Sequence, residues 1–416
     1  MKTRTGVLGV VVLATVFVGW SFAGDLNPPP GTVMPTMKTL DEVEPRTPLD
    51  PADVPIVIGS SGSYYITGNF SALIAGQDAI TINADDVTLD LNGFSIRNTE
   101  IGFFNRGVVI ASSAENVHIL NGAIIGCDLE GVSGPDSMGV SVSGLRVGDC
   151  GGNGIYLGSD ANVRGCTLVS NNEGARVGNG SAVHNTVANS NQSHGITIVG
   201  TGTISGCSAN SNGGAGFASG FAGNITDCSA RGNDTGIYGG TGSLIARCTV
   251  FQSASHGVRV DNDARVIDTT TSSNGGNGID AGDACAIERC TVNENEINGV
   301  LAGIHARVID CTASENGVHG IETDGDATIK GNNCDSNGVS STVGAGVLVT
   351  GADCRVEDNN CTDNDYGFLT FASGCLIVRN SASGNTTANF NISAGNDLGT
   401  IQTSPIGAGP WDNFEF

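Results

Sequence analysis

GITIVGTGTISGCSANSNGGA (195–215) is followed by GFASGFAGNITDCSARGNDT (216–235), GIYGGTGSLIARCTVFQSASH (236–256) and GVRVDNDARVIDTTTSSNGGN (257–277). Gly278 then opens the same phrase again. The opening glycines Gly195, Gly216, Gly236, Gly257 and Gly278 are 20 or 21 residues apart. A fixed period of this length is the signature of a solenoid, and it outranks any local reading of secondary structure. Each repeat is one small unit that buries its apolar face only by stacking on its neighbours.

Working outward, the landmark glycine recurs at Gly107, Gly131, Gly154 and Gly174, and again at Gly299, Gly320, Gly346 and Gly367. Ala79 opens the series and Ala388 closes it. Within a coil, apolar and polar residues alternate over three short stretches, as at 154–157, 162–164 and 166–169. Period-two alternation over three to five residues specifies strands with one buried face, and is too short for helix. The expected fold is all-β: a single-stranded right-handed parallel β-helix of about 14 coils of about 21 residues, three short strands to a coil.

Two ladders set the register. Asn171, Asn191, Asn212, Asn233, Asn274, Asn295 and Asn316 recur once per coil, with Ser253 in the same place. Asparagine tolerates left-handed backbone at a turn, and stacked amides hydrogen-bond from coil to coil. The other ladder runs Leu145, Cys166, Thr186, Cys207, Cys228, Cys248, Thr269, Cys290, Cys311 and Cys334. Exchange of cysteine with leucine and threonine describes a slot for a small buried side chain. No CxxC spacing points to a metal. Parallel side chains in an in-register stack favour buried free thiols, with Cys354 and Cys375 the first pair to test for a bridge. A third pattern, Asp227, Arg247, Asp268, Arg289 and Asp310, alternates in sign and reads as surface ion pairing, with Arg265 and Arg307 flanking it.

The remaining segments are read by composition. Residues 1–23 carry Lys2 and Arg4, an apolar middle and Ser21-Phe22-Ala23, the plan of a secretory signal peptide. The Pro-rich residues 24–58 read as an extended linker, 59–400 as the β-helix and 401–416 as a C-terminal tail. Phe390, Ile392, Leu398, Ile401 and Ile406 are expected to cap the open end of the core. The localisation implied is secreted, periplasmic or extracellular, with no membrane span once the leader is removed. A net charge of −24, and only Lys38 and Lys330 as lysines beyond the leader, exclude a nucleic-acid binder, which needs a basic face.

The repeats, together with PTMKTLDEVEPRTP (35–48), SGSYYITGNF (61–70), VTLDLNGFSI (87–96) and PWDNFEF (410–416), resemble a family of secreted bacterial right-handed parallel β-helix proteins of the pectate-lyase-like superfamily, one without characterised function. The resemblance spans nearly the whole mature chain. It implies the fold; fold alone does not set activity, since the superfamily includes lyases, hydrolases, epimerases, tailspikes and adhesins. The polygalacturonase-like hydrolases would imply NTD, an Asp-Asp pair, GHG and RIK; here Asp85-Asp86 is present, SHG stands at 193–195 and 255–257 in place of GHG, NTD and RIK are absent, and the departures outweigh the matches.

A rod-like substrate in this fold would lie along one strand face. The outward positions beside each landmark glycine are richest in chemistry around coils 257–320: His256, Arg259, Asp280, His319 and Glu322, with Tyr238 one coil earlier as a stacking ring. Arg259, Asp280 and Glu322 are the candidates for catalysis. Asp280 and Glu322, two coils and hence ~10 Å apart, are too widely set for an inverting hydrolase. Ca²⁺ is the one cofactor the carboxylates suit, with Asp261 and Asp283 as ligands. The even coils leave little wall for a cleft, which favours a non-catalytic protein that binds an extracellular polysaccharide or cell-surface component, or acts as a matrix scaffold. A polysaccharide lyase or glycoside hydrolase working near coils 257–320 is the alternative.

Overall fold

A computed structural model describes residues 46–71, 76–97, 104–341 and 343–416. The expected signal peptide and residues 24–45 of the expected linker lie outside those residues. The first strands of successive coils form a parallel sheet of 16 strands, from Ile56–Ile58 to Ala388–Asn391. Second and third strands together form a 31-stranded sheet. Among the described residues the stack therefore has sixteen rungs, close to the number the spacing suggests. Pairing is parallel and in register: Ile279 sits beside Val258 on one side and Val300 on the other.

The core is one continuous column. First strands point two residues inward, such as Ile196 and Ile198, and second strands one, such as Ile245 and Val266; all are at most 1% exposed. Full burial of such a side chain contributes roughly 1.5–3 kcal/mol. The third strand's inner slot is narrower, holding Ala188, Ala209, Ala230, Ala313 and Ala382.

Each coil turns at single residues with left-handed backbone, five apart. In the coil at Gly257 they are Asp263, Asp268 and Ser273 (φ 60°, 50° and 55°). The next coil repeats them at Ala284, Arg289 and Glu294. This comb corrects the reading of the asparagines: the left-handed residue is the one before each (Ser170, Ser190, Ser211, Ser273), and the asparagine is the inward residue after it. The asparagines are buried, and each amide except that of Asn233, which faces Ser253, donates to the next coil's side-chain oxygen. Asn191 reaches Asn212 at 2.8 Å and Asn295 reaches Asn316 at 2.9 Å. The ladder continues through Asn337, Asn364 and Asn385.

The same rule corrects the cysteine ladder. The residue after left-handed Gly331 is Asn332, whose Oδ1 accepts from the Cys311 backbone N–H at 2.9 Å. Cys334 instead pairs with Ala313, one inward slot further on. From Asn332 the cysteine slot becomes a second asparagine ladder through Asn359, Asn380 and Asn413. All thirteen cysteines are buried and unbridged. Burial pushes the Cys166 thiol up to about 11, so it stays protonated and inert.

The alternating charges occupy the left-handed corner between second and third strands. Arg247 donates to Asp227 and Arg289 to Asp268 through paired contacts of 2.7–3.1 Å. Arg265 lies 3.8 Å from Glu288.

Both ends differ from expectation. Thr47–Leu49 pairs with the strand at 62–66, and Ile56–Ile58 with the strand at 80–82, so coiling begins inside the segment read as linker. Prolines are tolerated there because an edge strand has one side with no bonds to make. At the other end Asn413–Glu415 pairs with Ser381–Ser383, bringing the tail into the sheet. Phe390 caps the core by stacking on Phe368, with centroids 5.1 Å apart, and Ile392 packs beside it. Ile406 is 91% exposed and caps nothing. No helix among the described residues is long and apolar enough to cross a membrane.

Candidate functional site

Strand alternation puts two outward rows on the first-strand sheet. The row two residues after the landmark glycine reads Tyr156, Arg176, Thr197, Ala218, Tyr238, Arg259, Asp280, Leu301 and Glu322, each paired with the next. The row one residue before the glycine includes Glu173, His194, Ala215, Thr235, His256, Asn277, Asn298 and His319. Stacking places a member of this row diagonally beside a member of the other row one coil on. His256 Nε2 thus lies 3.6 Å from Asp280 Oδ2, and Asn298 Nδ2 donates to Glu322 Oε2 at 2.7 Å.

Three histidines share one device. The backbone N–H groups of Ala215, Asn277 and Ala345 donate to Nδ1 of His194, His256 and His319, at 2.9, 3.2 and 3.0 Å. Nδ1 is therefore an acceptor in each ring, which leaves Nε2 as the protonated nitrogen of the neutral form. Burial takes the His319 imidazole down to about 4, so this ring is neutral at ordinary pH. Burial also raises the Glu322 carboxyl, the Asn298 bond opposing it and the nearby Asp324 charge adding to it.

The residues expected to act together divide into separate groups. His256, Asp280 and Arg259 do meet: Arg259 Nε is 3.9 Å from Asp280 Oδ2, although the arginine side chain is 57% exposed. Glu322 is held apart with Asn298, and Leu301 stands between Asp280 and Glu322. Tyr238 donates its hydroxyl to Asp261 Oδ2 at 2.7 Å. The Asp283 carboxylate accepts the backbone N–H of Ile304 at 3.0 Å, tying a turn. Among the described residues no three His, Cys, Asp or Glu side chains gather closely enough to hold a metal ion.

A depression on this face lies N-terminal to the expected patch. It is a trough of about 440 Å³ lined by Arg176, His194, Thr197, Ala215, Ala218, Asp234, Tyr238 and Arg259, among others. Its cause is the coil at Gly216, which has alanine in both outward rows. Longer side chains stand on either side, so the floor is Ala215 and Ala218 and the ends are Arg176 and Arg259. The ends are four rungs apart, ~19 Å at the usual strand spacing. Of the expected residues, Tyr238 and Arg259 line this trough. His256, Asp280, His319 and Glu322 do not.

Residues 177–307 match the family model of the right handed beta helix region. They begin one residue after Arg176, in the trough's first coil, and run beyond Asp280. No curated protein matches the chain by sequence. Among solved structures, the chain is similar to the mannuronan C-5 epimerase AlgE6 A-module of Azotobacter vinelandii, at 14% identity over 85% of this chain and 89% of that one, with a TM-score of 0.34. It is also similar to the catalytic domain of a GH87 α-1,3-glucanase, at 13% identity over 72% and 63%, with a TM-score of 0.42. A third similarity is to tailspike protein 3 of bacteriophage CBA120, at 9% identity over 84% and 60%, with a TM-score of 0.44.

Proposed function

We propose that this protein is a non-catalytic polysaccharide binder of the cell exterior, which lays an extended glycan along the first-strand face over the trough between Arg176 and Arg259. The trough itself carries the reading: an open furrow parallel to the coil axis, floored by alanine and edged by a tyrosine ring and hydrogen-bonding groups. Sugar rings stack on tyrosine faces, and the Asp261 bond holds Tyr238 in place. Reaction chemistry has less support there. Asp234 is the one carboxylate lining the trough, and the expected acid–base pair is split by two rungs.

Affinity electrophoresis of the mature protein through gels of soluble polysaccharides tests this. At least one polymer should retard the protein without releasing reducing ends or absorbance at 235 nm. Ala218→Trp, which fills the floor with an indole, should weaken that retardation at least tenfold. Retardation indifferent to Ala218→Trp would remove the trough from the function, and silence with every polymer would leave a scaffold.

The His256–Asp280–Arg259 contact supports a second reading, that of a polysaccharide lyase. Product absorbing at 235 nm, dependent on Ca²⁺ and lost in Arg259→Ala, would establish it over the first.

A further inference from the structure

We infer that the trough selects a neutral, hydroxyl-rich glycan and rejects polyuronates, with Glu173, Arg176 and Thr197 forming a hydroxyl-reading subsite at its N-terminal end. This rests on the binding role proposed for the trough. Two guanidiniums at its ends suggest an anion site at first sight, but neither is free. Arg176 Nη1 lies 3.5 Å from Glu173 Oε1, and Arg259 lies 3.9 Å from Asp280. Asp234 lines the trough, and Asp261 holds the Tyr238 hydroxyl. Two carboxylates thus engage the two guanidiniums, and Asp234 and Asp261 add two more negative charges, on a chain whose net charge is −24. A polyuronate brought here meets an excess of its own sign at short range, and the whole-molecule field opposes its approach.

Two polar groups at the N-terminal end have unused hydrogen-bonding capacity, a carboxylate oxygen that needs a donor and a hydroxyl that can donate or accept. Glu173 is only 7% exposed, and its Oε2 has no hydrogen-bond partner. Thr197 lines the trough, and its Oγ1 is likewise buried and unpartnered. Buried oxygens left without a partner destabilise the site that holds them. Sugar hydroxyls supply what is missing: one hydroxyl donates to a carboxylate oxygen while its neighbour accepts from a guanidinium N–H, and Glu173 with Arg176 offers that pair side by side. A carboxylate sugar brings an acceptor to a place already crowded with acceptors.

The test uses the mature protein with galactomannan and xyloglucan as neutral probes and with polygalacturonate and alginate as acidic ones. EDTA is present throughout so that no cation bridges carboxylates. Binding to at least one neutral polymer is expected, little changed between 50 and 500 mM NaCl because no net charge is neutralised, with no binding to either polyuronate. Glu173→Gln and Thr197→Val should each weaken it tenfold or more, with the β-sheet circular dichroism unchanged. A polyuronate bound in the trough, and displaced by Ala218→Trp, would overturn this inference while leaving the binding role intact. Failure of all four polymers, or indifference to Ala218→Trp, would overturn both. Neutral binding unaffected by Glu173→Gln and Thr197→Val would overturn the subsite.

Discussion

Replacing Asn316 by leucine, a residue of nearly the same volume, should cost roughly 3–5 kcal/mol of stability. Asn316 is fully buried, and its amide works in four directions. Nδ2 donates to the Val292 carbonyl at 3.1 Å and to Asn337 Oδ1 at 2.9 Å. Oδ1 accepts from the Asn295 backbone N–H at 3.1 Å and from Asn295 Nδ2 at 2.9 Å. Leucine fills the space but takes these bonds from the Val292 carbonyl and from both Asn295 donors, leaving Asn337 Oδ1 only the Asn316 backbone N–H, and each buried group stripped of its partner costs roughly 1–3 kcal/mol. Relaxation of the coil recovers part of that sum. The measurement is the denaturant midpoint of Asn316→Leu, supplemented by hydrogen exchange across 292–337, because coil stacks need not unfold in one step. A loss under 1 kcal/mol would mean the amides fill space without bonding.

The converse change belongs with it. Ser253 interrupts the ladder, and its hydroxyl is buried without a partner. Its backbone N–H already donates to Asn274 Oδ1 at 2.9 Å, as Asn274 does in turn to Asn295. Ser253→Asn should rejoin the two halves of the ladder and gain about 1 kcal/mol, the usual net value of a hydrogen bond. A lower midpoint in this variant would show that the coil there is too narrow for an amide.

The fold was legible because a solenoid writes its core once per coil. Alternation around Ile196–Ile198 or Val258–Val260 needs no partner to be recognised, and the asparagines name their own column. What escaped needed a second coordinate. Cys334 has the right residue type near the right place, and only the left-handed corner at Gly331 shows that the slot belongs to Asn332. The ends escaped because prolines and a dissolving repeat describe local propensity, whereas pairing of 47–49 and 413–415 is decided by the open sheet edges they cover. The expected patch around His256 and Asp280 was found by looking for charge, and those two side chains do approach. The trough is made by what Ala215 and Ala218 lack. A search for reactive side chains passes over such a place, although two alanines in the outward rows of one coil are as visible in the sequence as two aspartates.

Gly257→Val should lower stability by about 3 kcal/mol, and the reason explains the landmark from which the whole sequence was read. The glycine column is a steric requirement of stacking and not a turn preference, for Gly257 has no left-handed backbone. A Cβ built on it would lie 2.6 Å from the carbonyl oxygen of Gly278 and 2.7 Å from Asn274 Nδ2. That carbonyl is the one that accepts the Val258 N–H at 2.9 Å, so relieving the clash means breaking the bond that joins the two rungs. The same contact recurs at Gly195, Gly216, Gly236, Gly278 and Gly299, each within 2.4–2.8 Å of the next coil's carbonyl. Overpacking of a tight site costs typically 1–3 kcal/mol, and a β-branched residue against backbone belongs at the upper end. Gly59, where a Cβ meets nothing within 4 Å, is the control, and Gly59→Ala should be neutral. Gly257 sits between His256 and Arg259, so a rung forced out of register also displaces the end of the trough. Gly257→Val should therefore lose glycan retardation along with stability, whereas Asn316→Leu, two coils away, should keep the retardation at temperatures where it remains folded. Equal loss of binding in both would mean that the face responds to the stack as a whole, and that the trough has no local identity.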